Sequence, residues 1–437
     1  MTNCTQITLE FPAVKRRKVE GAFSGGDISS DGGLLLLRQI DSRLGLLKAA
    51  NAVIPDPRDA RYVQHEQLTL LRQRVYALCQ GYEDLNDHDQ LRKDPAFQTA
   101  VEQAQVLGSS PTLCRLENRA DRKSAMALHQ VLLDQFIASF DTPPEELILD
   151  FDATDDRVHG LQEGRFFHGY YDHYCFLPLY VFCGDQLLVS YLRPSRIDGA
   201  KHAWAILALL VKRLRQVWPD VRIILRADSG FCRHRMLRWC ERQGVGYIVG
   251  LARNSRLQAM IESEFKKLDK QFEELNAKQR QFLDLRYGAH SWKRQRAVIA
   301  KLEITELGRN PRFIVTNLNG DAQALYDEVY CARGEMENRI KEQQLGLFAD
   351  RTSAHYWWAN QFRLLLSSLA YVLMESIRRL ALTGTELARA QVGTIRLKLL
   401  KVGAIILRNT RRIRFLLSSA YPYQKLFQTV AARLAPG

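Results

Sequence analysis

Residues 147–156, LILDFDATDD, decide the fold. The stretch opens on alternating apolar residues and closes on Asp150, Asp152, Asp155 and Asp156. Read as a strand, it sends Asp150, Asp152 and Thr154 to one face and Leu149 and Phe151 to the other. An unpaired carboxylate on a buried strand is costly. A compensating charge is therefore required, and a divalent cation supplies one. The plainer alternative is that the acids only close a loop. We adopt that for Asp155 and Asp156, while Asp150 and Asp152 need a partner.

Downstream, an aromatic strand-prone stretch, FFHGYYDHYCFLPLYVFC (166–183), is joined to QLLVSYLRP (186–194) by Gly184-Asp185, a hairpin signal. An amphipathic helix (201–218), a strand VRIILRADSG (221–230), a helix (234–244) and a strand GYIVGLAR (246–253) follow. Three strands, helix, strand, helix, strand is the order of an RNase H-like core, an α/β mixed sheet flanked by helices. Residues 254–320 break this pattern with a charged helix to about residue 284 and two strand-like segments, 292–304 and 312–318. We read them as a β-containing insertion rather than a continuation of the sheet. The helical period returns at 324–346.

Upstream, residues 1–140 read as a helical N-terminal DNA-binding domain, extended over its first 30 residues and bounded by Pro143-Pro144. The full division is 1–140, core 145–253, insertion 254–320, second part of the core 321–380 and a helical basic C-terminal region 381–437. That last region carries Arg396, Lys398, Lys401, Arg408, Arg411, Arg412 and Arg414, suited to phosphates or a partner subunit.

The chain has 62 Lys and Arg against 48 Asp and Glu, a net charge of +14, which points to a polyanionic partner such as nucleic acid. Its eight cysteines, from Cys4 to Cys331, form no CxxC pair, and no secretory leader is evident. Reduced thiols in a cytoplasmic protein are expected. Cys232 and Cys240 flank His234 without a zinc spacing. The longest apolar run, 364–374, is too short to span a bilayer, so no membrane partner is expected.

A second acid, Asp228, ends the strand in ILRADSGF (224–231). In an RNase H-like order this strand lies beside the first, and Asp228 approaches Asp152. Neighbouring carboxylates repel unless a cation separates them, and hard oxygen donors suit a divalent ion. A third acid comes from YCARGEMENRIKE (330–342), where Tyr330, Arg333, Glu337 and Lys341 share one helix face. Glu can ligate a metal while Arg forks onto phosphate oxygens. The plainer alternative is a solvated face with Arg–Glu pairs.

D-A-T on the first strand, A-D-S-G-F on the fourth and Y-x-x-R-x-x-x-E on the late helix resemble the DDE transposases of bacterial insertion sequences, in the branch with a Tyr–Arg–Glu–Lys signature. LDFDATDDRVHGLQEG, RADSGFCR, RGEMENRIKE and SSDGGLLLL most resemble the insertion-sequence family numbered thirteen-eighty. The resemblance implies Asp152, Asp228 and Glu337 as catalytic metal ligands, with Asp150 the alternative first ligand, and Tyr330 and Arg333 as DNA contacts. The signature's lysine is expected where Gln344 stands, and Lys341 lies one turn nearer.

The implied reaction uses two Mg²⁺ ions, or Mn²⁺ in their place, roughly 4 Å apart for in-line displacement at phosphorus. Water nicks the element's end, and the freed 3′-OH attacks target DNA. Double-stranded DNA, as terminal inverted repeats and target, is the implied partner, with a homodimer in the synaptic complex. A hairpin route needs an aromatic to hold an unstacked base, for which Trp292 is the candidate, a core aromatic being the alternative. His159, His168, His173 and His202 read as structural. Two other functions stay open: another RNase H-like DNA nuclease, or a non-cleaving DNA-binding protein of transposase ancestry.

Overall fold

Glu146–Ala153 lies inside a nine-stranded sheet because both of its edges find partners. The computed structural model describes residues 7–435, so Cys4 lies outside the described residues. Arg222–Ala227 runs parallel to Glu146–Ala153 on one side, and Leu179–Cys183 runs antiparallel on the other. Gln186–Tyr191 borders the antiparallel neighbour, and Gly246–Leu251 runs parallel beside Arg222–Ala227. Counting only strands of this sheet, the spatial order is third, second, first, fourth, fifth. The helices Ala203–Val217 and His234–Gln243 supply the crossovers that parallel neighbours require.

Alternation then gives the sheet two different faces. Leu149, Phe151, Ile223, Leu225 and Val249 join Leu207, Leu214, Met236 and Leu237 in one buried cluster. Burying each large side chain of this kind contributes roughly 1.5–3 kcal/mol. Ile224, Ile248, Ile299 and Ile314 point the other way and are covered by Leu325 and Tyr326. The acids and Arg226 share that second face, so the site is built where the late helical segment meets the sheet.

Residues 254–320 correct the expectation of an insertion apart from the sheet. Arg312–Thr316 pairs antiparallel with Gly246–Leu251, and Arg296–Thr305 and Gln279–Tyr287 extend the same sheet. The cause is the buried strand Gly246–Leu251, whose outer backbone edge needs hydrogen-bond partners. The charged helix spans Ser255–Leu275 and stops at Asn276, a left-handed cap at φ 45°. Residues 279–284, read as helix, are strand.

The contacts divide the chain into two compact units. One comprises residues up to Ala120, Gly346–Phe348 and Leu369 onward; the other, Asp121–Leu345 with Ala349–Ser368, holds the sheet. The helix Arg122–Ala138, grouped by sequence with the N-terminal helices, belongs to the sheet unit. There His129 Nε2 lies 3.1 Å from the Ser190 carbonyl and Phe136 packs edge-on against Trp218.

The first unit is not purely helical. It carries a hairpin of Leu9–Val14 and Arg17–Gly21, and a small sheet of Ile28–Ser29, Ala404–Arg408 and Ile413–Leu417. The apolar, β-prone stretches AIILR and IRFLL account for these C-terminal strands, correcting the helical reading of 381–437. Several tail cations are structural too. Arg396 Nε donates to the Cys79 carbonyl at 2.7 Å, and Lys401 pairs with Asp31 at 2.6 Å. Arg411, Arg412 and Arg414 stay exposed.

No helix of the described residues is long and apolar enough to cross a membrane. The described cysteines are free thiols.

Candidate active site

In-register parallel pairing of Phe151 with Ala227 sets the two strand tips side by side, with Asp152 and Asp228 each one residue further on. Asp228 then turns the chain by accepting the Gly230 amide at 2.8 Å. Opposite the tips, the late segment is irregular: Leu325–Tyr330 forms a π-helical turn and Cys331–Arg333 a 3₁₀ turn before the regular helix Gly334–Leu347. Wide π turns recur at functional sites because they re-aim side chains that a uniform 3.6-residue period would place elsewhere.

Arg333 joins the components. Its guanidinium donates to Asp152 Oδ2 at 3.3 Å and to Glu337 Oε1 at 2.6 Å. The Asp152 carboxyl is pushed up to about 6, first by burial and then by the negative charges of Asp228 and Glu337, with Arg333 opposing. Arg333 is itself held more basic: burial pulls it down, but Asp152 and Glu337 outweigh that. Tyr330 is raised, chiefly by burial, with Asp228 contributing. Asp152, Asp228, Tyr330, Arg333 and Glu337 thus act on one another electrostatically in one site. Lys341 is exposed on the following turn, and Gln344 Nε2 donates to the Asp155 carbonyl at 3.1 Å.

Asp150 stands apart from this group. Arg226, its cross-strand neighbour, grips both oxygens at 2.5 and 2.7 Å and also donates to the Val329 carbonyl at 2.6 Å. Burial raises the Asp150 pKa and the Arg226 fork opposes the rise. Both Asp150 oxygens are thus engaged by Arg226. Trp292 is partly buried: the Arg296 guanidinium covers its ring at 4.7 Å and Tyr287 meets it edge-on at 5.7 Å.

Asp155 and Asp156 are not simple loop caps. Asp155 lies 2.8 Å from His173 Nε2, and buried Asp156 accepts the Thr352 hydroxyl at 2.8 Å. His168 packs at a tilt against Tyr171, His202 lies against Tyr191 and His159 is exposed.

Gly250 is a residue the sequence reading passed over. A Cβ there would lie 2.7 Å from the Tyr330 hydroxyl and 2.7 Å from the Ser229 amide. A glycine inside an otherwise apolar strand, YIVGL, is the signal that could have marked it. Because one clash is with backbone, Gly250→Ala should displace the Asp228 turn or Tyr330. We expect roughly tenfold or greater loss of function, with the circular dichroism spectrum unchanged.

Among the described residues, no group of three acidic, histidine or cysteine side chains forms a ready metal cage. The donor chemistry nonetheless fits a hard cation: two aspartates at adjacent strand tips, one made less acidic by burial and then by its neighbours' charge. Glu337 is engaged by Arg333 at 2.6 Å.

A mixed sheet that presents two aspartates side by side, facing a Tyr–Arg–Glu helical segment, defines a carboxylate-centred site. The family model for the transposase DDE domain, group 1, matches residues 11–436, and the chain belongs to that family of DNA transposases. A search of curated proteins finds no match. Among solved structures the chain is similar to the piggyBac transposase in its cryo-EM synaptic complex with hairpin DNA. The identity is 11% and the TM-score 0.43, over 92% of this chain and 82% of that one.

Proposed function

We propose that this transposase works by cut-and-paste transposition of an insertion sequence of the thirteen-eighty type, through an RNase H-like core. The strand order third, second, first, fourth, fifth supports the core assignment. The observation that carries the reaction is the bridge from Arg333 to Asp152 and Glu337, beside the tip that bears Asp228. Asp152, Asp228 and Glu337 would hold two Mg²⁺ or Mn²⁺ ions, which acidify the attacking hydroxyl and stabilise the leaving oxygen. Tyr330 and Arg333 orient the scissile phosphate: the guanidinium that now spans two carboxylates is placed to fork onto phosphate oxygens once cations neutralise those acids. Lys341 adds a phosphate contact one turn away. The N-terminal helices read the terminal inverted repeats, and two symmetric ends require two protomers. Such a protein acts on DNA in the bacterial cytoplasm.

The test is to incubate the full chain with its own element's ends and Mg²⁺, size the products, and supply pre-cut 3′-OH ends with a target plasmid. Joined products are expected. Cleavage without joining would indicate a nuclease, and binding without cleavage a non-catalytic DNA-binding protein. Arg333→Ala should slow joining of pre-cut ends about a hundredfold while shifting the melting temperature by only a few degrees. An unfolded variant would make Arg333 a structural residue.

A further inference from the structure

In the unit that contains the N-terminal helices, a cavity of about 510 Å³ opens between segment 56–65, with its 3₁₀ turn Ala60–Tyr62, and the helix Ser110–Asn118. Arg58, Arg115, Arg119 and His65 line it, and no aspartate or glutamate does. Thr112, Arg115 and Arg119 recur at three- and four-residue spacing, so one helical face aims its polar groups into the opening. Buried Leu70 and Leu116 supply an apolar floor, and Tyr62, 80% exposed, stands at its edge. Asp56 is shared: Arg58 Nη2 reaches it at 2.6 Å and Arg119 Nη1 at 2.6 Å. Arg115 is different. It is exposed, donates to the Thr112 hydroxyl at 3.2 Å, and meets no carboxylate among the described residues.

Two guanidinia sharing one carboxylate, a third with none, and an apolar floor beside an exposed aromatic ring match the chemistry of a nucleotide unit in a DNA strand. A phosphate suits the arginines, and a sugar or base edge suits the leucines and Tyr62. We propose that this cleft is a DNA-backbone site, in which Arg115 and Arg119 take a phosphate of the terminal repeat and Tyr62 packs against the adjoining nucleotide. The proposal rests on the reading of the protein as a transposase, and it assigns a grip on the end to the unit that does not carry the carboxylates.

Full-length protein is titrated with a fluorescent duplex carrying the element's own end across a range of salt. Arg115→Gln should weaken binding about tenfold and reduce the slope of log K against log salt by about one. Arg115→Lys should keep that slope, and Tyr62→Ala should weaken binding several-fold with the slope unchanged. Normal affinity and slope in both Arg115→Gln and Tyr62→Ala would overturn the site, as would tighter binding of a duplex RNA of the same sequence. Wild-type protein that cleaves the end while these variants bind it normally sinks only the cleft. Wild-type protein that neither binds nor cleaves sinks the transposase reading with it.

Discussion

Asp152→Asn should be inactive and more heat-stable than the wild type. Burial and the charges of Asp228 and Glu337 raise this carboxyl from the ordinary 3.8 to about 6. In the unfolded chain it titrates near its ordinary value, so between those two pH values the folded state binds the extra proton. Stability is therefore fully present below about pH 4 and is lost as the pH rises through 6. The loss is on the order of 3 kcal/mol. Without divalent cations, the asparagine variant should lack this decline and melt a few degrees above the wild type at pH 8, with the gap closed at pH 4. Adding Mg²⁺ should raise the wild-type melting temperature and leave the variant unmoved, since only a ligand that binds the folded state stabilises it. Cleavage of end-containing DNA should fall by about a thousandfold or more. A variant that melts lower than the wild type at pH 8, or that still cuts, would remove Asp152 from the centre.

The same carboxyl shows how far the chain could be read without coordinates. LILDFDAT announces a strand because its apolar residues alternate, and ADSG announces a strand end because Ser and Gly turn the chain. Pairing these two strands in register fixes more than the acids. Asp228 follows Asp152 by 228 − 152 = 76 residues, and Arg226 follows Asp150 by 226 − 150 = 76. Any parallel pairing that joins the first pair therefore joins the second, so the Asp150–Arg226 bridge was implicit in the spacing.

Other features were not legible, for physical reasons. Whether Gln279–Tyr287 continues a helix or pairs as a strand depends on a partner, Arg296–Thr305, that local propensity does not report. The only nearby sign is Asn276, a residue type that tolerates a left-handed cap. The π turn at Leu325–Tyr330 is a shift of backbone hydrogen bonding and leaves no mark on side-chain spacing. Roles within the basic tail were not legible because charge counts do not separate an exposed guanidinium from one, like Arg396, that satisfies backbone carbonyls.

Asp150→Ala should move stability in the opposite direction from Asp152→Asn, although the two positions are neighbours on one face of one strand. Removing Asp150 leaves the Arg226 guanidinium, on a residue 7% exposed, without the carboxylate that holds two of its nitrogens. Breaking one side of a buried pair in this way costs about 3–5 kcal/mol, mostly because the surviving charge is uncompensated. Activity should fall as well, because Arg226 also holds the Val329 carbonyl one residue before Tyr330. The double replacement Asp150→Leu with Arg226→Leu decides between the two roles. If Asp150 is structural, removing both charges together restores most of the stability and only part of the cleavage, because the Val329 carbonyl has lost its Arg226 donor. If Asp150 ligates the catalytic metal, the double variant is stable and dead. Thermal melts and end-cleavage rates on the single and double variants separate these cases. The bidentate grip of Arg226 on Asp150, set against the Asp228 and Glu337 charges acting on Asp152, favours the first.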